Sequence, residues 1–263
     1  MMNGLKNFRA QAIIFDKDGT LIDFDMMWGG WVVYLAEQIK AVSGLDVCEA
    51  LCFAMGFDQK SRKVLAQGKL ASRPMSQLYR LTINVVQSFG LSPTEAECIV
   101  EKAWCIPDPV SLAKPLTDLR TLFSNLRDHG IQIAIATADD RPSTQAMIEA
   151  FDIEEYVAAM VCADDGIPSK PAPDMVLTIC ERLQIDPSRV MVIGDTASDL
   201  KMARAAGAGL TVGVLSGVSS TKDLNSHADI LIESVDELHE YILWLDRTES
   251  ERLQQGLDPD FAY

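Results

Sequence analysis

Four aspartates stand just past short apolar segments in this chain of 263 residues, and their placement is more informative than their number. Asp16 and Asp18 follow Ala12 to Phe15 (AIIF), and Asp195 and Asp199 follow Val190 to Ile193 (VMVI). A short apolar run that stops at turn residues reads as a buried strand, and the carboxyl ends of parallel strands open into the crevice where such sheets bind ligands. Four acids converging there repel one another unless a hard cation sits between them. Mg²⁺ takes carboxylate and water oxygens in octahedral geometry and suits that position. Each acid taken singly also has a plainer role: Asp195 and Thr196 can cap the next helix, and Asp199 can complement its dipole. The three histidines, His129, His227 and His239, are scattered, so zinc sites and Ser/His/Asp triads lack material and any metal must be held by oxygen.

The segments that must position these acids alternate. Further strand-like runs span Ile131 to Ala136, Tyr156 to Cys162, Leu210 to Leu215 and Ile230 to Ile232. Helix-like segments lie at about Leu116 to Asp128, Pro142 to Phe151, Pro173 to Leu183, Ser198 to Ala206 and Val235 to Leu245. Strand and helix in alternation predict an α/β fold, a doubly wound parallel sheet covered on both faces. Residues 24–113 break the pattern with apolar positions at helical spacing (Trp31, Leu35, Ile39; Leu78, Leu81, Val85). They are expected to form an all-helical inserted domain, with 1–23 and 114–263 as the core and Pro107, Pro109 and Pro115 in the return linker. Met26 to Ala36 is apolar enough to suggest an exposed or membrane-facing surface, though too short to span a bilayer, but it is more simply the buried face of the insert. The polar tail from Arg247 to Tyr263 is expected to fray.

Composition narrows the function. With 23 Lys and Arg against 38 Asp and Glu, the formal charge is −15, which disfavours nucleic acid and anionic membranes as partners because phosphate-backbone binding depends on cations. A small phosphorylated substrate remains compatible where a local cation offsets the field. No stretch of about 18 apolar residues suits a membrane span, and the N-terminus lacks a signal-peptide core, so the reading is a soluble cytoplasmic protein. The six cysteines contain no CxxC pair and read as reduced core thiols.

Asp16 to Leu21 spell DKDGTL after a hydrophobic strand, Thr137 closes a later strand, Lys170 lies in SKPAPD, and Gly194 to Asp199 spell GDTASD. Four motifs in this order resemble the haloacid dehalogenase superfamily of phosphotransferases, nearest to phosphoglycolate phosphatase-like and β-phosphoglucomutase-like members, over roughly residues 11–245. The resemblance places the helical insert as the family's C1-type cap domain. It implies a Mg²⁺-dependent phosphatase acting on a small phosphorylated metabolite, with Asp16, Asp18, Asp195 and Asp199 at the metal, Asp18 through its backbone carbonyl.

The residues fit such chemistry. A carboxylate nucleophile at Asp16 gives an aspartyl-phosphate, and Asp18, two residues on, can serve as general acid and then general base. That needs different proton affinities, Asp16 held ionised and Asp18 able to carry a proton. Lys170 can bridge the nucleophile and a phosphate oxygen, while Thr137 and backbone N–H groups hold the others. The resemblance also implies that dehalogenase, phosphonatase and P-type ATPase chemistry is disfavoured, since those relatives lack an aspartate at the position of Asp18. A phosphoglucomutase-like phosphotransferase uses the same residues, and a non-catalytic binding protein on this scaffold is the reading from another class. Two departures bear on substrate: Ala138, Asp139, Asp140 and Arg141 after the second motif, where solvent-facing or capping aspartates are expected, and the bulky Met26, Met27 and Trp28 after Asp23 and Asp25. Arg62, Lys63, Lys69, Arg73 and Arg80 in the insert can meet a remote anionic group, although a solvated surface role is the plainer one for each.

Overall fold

The computed structural model describes residues 5–65, 68–73, 75–105 and 112–254. The chain divides into two compact units, 1–21 with 115–263, and 22–114. Pro107 and Pro109 of the expected linker lie outside the described residues.

The first unit is built on a six-stranded parallel sheet of β1 (Ala12–Phe15), β4 (Gln132–Ala136), β5 (Val157–Val161), β6 (Val190–Gly194), β7 (Leu210–Val214) and β8 (Ile230–Ile232). The spatial order is β5-β4-β1-β6-β7-β8, so the winding direction reverses beside β1. Such a reversal leaves a crevice at the carboxyl ends of the central strands. Phe15 pairs in register with Ile135 and with Ile193, which brings Asp16, Thr137 and Asp195 out at one edge of the sheet. β1 is buried along its whole length, as a central strand covered on both faces requires.

Helices α6 (Leu119–Asp128), α7 (Arg141–Ala150), α8 (Asp174–Leu183), α9 (Ala197–Ala205), α10 (Thr221–Leu224) and α11 (Leu238–Gln254) complete this unit. On one face Ile14, Ala134, Val161 and Val192 pack with Met175, Val176 and Ile179 of α8 and Met202 and Ala203 of α9. On the other, Phe15 meets Phe123 of α6 with ring centroids 5.4 Å apart. α6 buries Leu119, Leu122, Phe123 and Leu126, one stripe at helical spacing, and starts at Leu119 because Asp118 accepts the Thr121 N–H as its cap. Of the tail expected to fray, 247–254 is helical, continuing α11 from buried Leu238, Tyr241, Ile242 and Leu245, and 255–263 lies outside the described residues.

The second unit holds α1 (Gly30–Ser43), α2 (Cys48–Met55), α3 (Lys69–Ser72), α4 (Met75–Gln87) and α5 (Pro93–Ala103). Trp31, Leu35 and Ile39, Leu51 and Met55, Leu78 and Val86, and Val100 form its core. Met27, Trp31, Val32 and Leu35 are buried while Met26 and Tyr34 are exposed, so Met26 to Ala36 is mainly a packing face. The unit is not all helical. A π-helical turn (Asp25–Gly29) precedes α1, and β2 (Phe57–Asp58) pairs antiparallel with β3 (Lys63–Val64). Asp58 nucleates that hairpin by accepting from Lys60 N–H and Ser61 Oγ, and Asp25 fastens it by accepting the Val64 N–H and pairing with Lys63. No helix among the described residues is long and apolar enough to cross a membrane. The cysteines are unbridged among the described residues, yet Cys98 is exposed and Cys48 and Cys105 are half-buried, so only Cys52, Cys162 and Cys180 are core thiols.

Phe123→Ala empties the space under β1 and is expected to lower the unfolding free energy by about 3–5 kcal/mol in urea titrations. A loss under about 1 kcal/mol contradicts the packing described.

Candidate active site

The loop after β1 is still tied to the sheet at its first residue, where Asp16 N–H donates to the Ile193 carbonyl at 2.9 Å. Leu21 N–H then closes back on the Lys17 carbonyl, a tight turn that needs a left-handed residue, and Gly19 supplies it at φ +85°. Gly19 has a second reason to lack a side chain, since a Cβ there would lie 2.7 Å from Asp195 Oδ2.

Asp16, Asp195 and Asp199 come together. One carboxylate oxygen from each lies within 4.8 Å of the other two, and all three side chains are almost wholly buried. Lys170 Nζ sits 2.5 Å from Asp16 Oδ1 and 2.5 Å from Asp199 Oδ1. The contact to Asp199 is a buried ion pair made through Oδ1. Its other oxygen, Oδ2, accepts from Thr196 N–H at 3.0 Å and from Thr196 Oγ at 2.5 Å in a capping box at the start of α9. Asp199 is therefore both a helix cap and a member of the cluster, one oxygen for each. Asp195 Oδ2 accepts the Val218 N–H at 2.9 Å.

Thr137 is buried at the end of β4, beside β1, and its Oγ accepts the Asp139 N–H at 3.0 Å, which leaves the hydroxyl proton available to another acceptor. Asp18 is not in the carboxylate cluster. Its Oδ1 is held at 2.8 Å by Lys17 Nζ, which also lies 2.9 Å from Asp139 Oδ2. Asp139 is thus an ion-pair partner rather than solvent-facing. Asp140 does cap α7, accepting the Ser143 N–H, while Arg141 turns to Asp165 and neutralises neither neighbour.

Ser216, Gly217, Val218, Lys17 and Asp139 were not legible as site residues. Ser216 Oγ donates to the Gly19 carbonyl at 2.7 Å, and a Cβ on Gly217 would stand 1.9 Å from Asp195 Oδ2. Their signal was a Ser-Gly pair just past a predicted strand, which reads as an ordinary turn.

Burial dominates the electrostatics. It pushes the Asp16 carboxyl up to about 7 against the pull of Lys170, with Asp199 and Asp18 adding to the rise. Burial, then Asp16 and Asp199, hold Asp195 well above the usual carboxylate range. Burial acts to lower Lys170, but Asp16 and Asp199 outweigh it and keep the ammonium charged above its ordinary range. One ammonium therefore under-compensates three carboxylates. The three donor oxygens lie within 4.8 Å of one another, near the about 3 to 4 Å between oxygens around a single Mg²⁺, and this hard-oxygen set, carrying more negative charge than Lys170 balances, fits such a cation.

Because the folded state holds the Asp16 proton from about pH 4 to about 7, where the unfolded chain has released it, this site loses stability as pH rises through that window. In EDTA, Asp16→Asn is expected to raise Tm by several degrees at pH 8, with the gap closing by pH 5. A variant less stable than the native chain at pH 8 contradicts the assignment.

The family model of haloacid dehalogenase-like hydrolases matches residues 10–207. A phosphoglycolate phosphatase of Shigella sonnei is 33% identical over 255 residues, covering 90% of this chain and 93% of that protein. The N-acetylmuramic acid 6-phosphate phosphatase of Pseudomonas aeruginosa is 26% identical over 244 residues, 89% of this chain and 95% of its own. Among solved structures, a Thermotoga maritima protein assigned as a beta-phosphoglucomutase superposes with a TM-score of 0.62 at 20% identity, over 91% of this chain and 98% of that one. With its six-stranded parallel sheet and helical insert, the chain belongs to the haloacid dehalogenase-like hydrolase family.

Proposed function

We propose that this enzyme is a Mg²⁺-dependent phosphatase that hydrolyses a small phosphorylated metabolite through an aspartyl-phosphate on Asp16. The observation that supports this most directly is Lys170, buried and bridging Asp16 and Asp199 beside Asp195. The names of the two full-length relatives, both phosphatases of small phosphomonoesters, support the substrate class.

Asp16, Asp195 and Asp199, with the backbone carbonyl of Asp18, would hold Mg²⁺, which when bound neutralises charge on the phosphoryl oxygens and keeps Asp16 ionised. A carboxylate oxygen of Asp16 attacks phosphorus, a new O–P bond forms, and the ester O–P bond breaks. Asp18 gives its proton to the departing alkoxide. Water then attacks the same phosphorus and yields its proton to Asp18, the Asp16–phosphorus bond breaks, and inorganic phosphate leaves. Lys170 stays charged throughout and stabilises the negative charge spread over the transferring group, as the Thr137 hydroxyl and nearby backbone N–H groups do. The inserted second unit serves as the cap that selects the substrate and excludes water.

On a panel of phosphoglycolate, sugar phosphates, nucleotides and pyrophosphate, phosphate release is expected with Mg²⁺, lost in EDTA and restored by Mg²⁺. Asp16→Asn is expected to abolish it, and Lys170→Met to lower kcat by about 10²- to 10³-fold. Full activity of Asp16→Asn, or an isomeric sugar phosphate formed without phosphate release, contradicts the proposal.

A further inference from the structure

Lys17 takes no part in the steps above, yet its side chain is fully buried, which is rare for lysine unless the ammonium has partners. Its partners are Asp18 Oδ1 at 2.8 Å and Asp139 Oδ2 at 2.9 Å. Burial acts to lower the ammonium, but the two carboxylates outweigh it and keep Lys17 charged. Asp139 is itself fixed from three sides. Its Oδ1 accepts the Asp140 N–H at 2.9 Å, its own N–H donates to Thr137 Oγ at 3.0 Å, and its carbonyl accepts the Ala163 N–H at 2.9 Å.

An ion pair between neighbouring residues such as Lys17 and Asp18 fixes little alone, because both side chains can turn together. Anchored at Asp139, it ties Asp18 to the loops that follow β4 and β5. A carboxyl on a turn otherwise has several χ1 wells to occupy, and a misplacement of about 1 Å at a reacting centre can cost about 10²-fold in rate.

We propose that Lys17 and Asp139 form a buried brace that positions the Asp18 carboxyl for proton transfer to the leaving group. The inference rests on the assignment of Asp18 as the acid and base of the reaction. Both are positioning residues, since they act through Asp18.

The test compares kcat/KM for phenyl phosphate, whose leaving group needs a proton, with that for 2,4-dinitrophenyl phosphate, whose leaving group does not. This ratio reports only steps through formation of phospho-Asp16, so Asp18's later work as a base does not enter. Asp18→Asn is expected to lose about 10²-fold or more on phenyl phosphate and little on the dinitrophenyl ester. Lys17→Met is expected to show the same split, about 10- to 100-fold against less than about 3-fold, and to add nothing to Asp18→Asn in the double variant. Asp139→Asn keeps the shape of the anchor and decides the matter if Lys17→Met does not fold; it is expected to show the split more weakly. Equal losses on both esters in the brace variants, beside the split in Asp18→Asn, overturn the brace and leave the role of Asp18 standing. No split in Asp18→Asn removes that role and the brace with it.

Discussion

The architecture of the site follows from one electrostatic problem: three carboxylates buried within 4.8 Å of one another, with a single ammonium, Lys170, among them. Left alone, the cluster would favour protonation, and burial does push Asp16 and Asp195 upward. The fold holds it together by tying each of the three residues to rigid backbone. Asp16 is laddered to β6, Asp195 takes the Val218 N–H, and Asp199 spends one oxygen on the cap of α9. What remains is a concentration of negative charge that a hard divalent cation would relieve, the condition under which Asp16 can be an ionised nucleophile.

That cluster depends on the parallel sheet. Because β1 pairs in register with β4 and β6, residues one past each strand emerge together, and no loop has to reach across the molecule. Gly19 and Gly217 leave the space that Asp195 occupies, so the turn after β1 and the loop after β7 close on the same carboxylate. Around this stands a second charged group, Lys17 between Asp18 and Asp139.

Much of this was legible in the sequence because the signals were local. Short apolar runs ending in turn residues marked the strands, and the carboxylates after them marked the crevice. Asp199 had two readings, as cap and as site residue; it does cap α9, and because a carboxylate has two oxygens it also reaches the cluster. Lys17 was not legible, since a lysine is ordinarily exposed and nothing in DKDGT says that this one turns inward to meet Asp139. The β2–β3 hairpin escaped because strands of two residues show no period, and its turn depends on Asp58 side-chain bonds. The extent of α11 escaped because its last turns are polar in sequence and show no apolar period.

The central claim is that Asp16 carries the phosphoryl group. Rapid acid quench of the Mg²⁺-loaded enzyme during turnover of its best phosphomonoester, followed by peptide mapping, tests this directly. The account predicts an acid-stable, hydroxylamine-labile phosphoryl group on the peptide containing Asp16, formed as fast as the alcohol product is released. Phosphate release at the same rate with no phosphoryl group on that peptide at any quench time would contradict it.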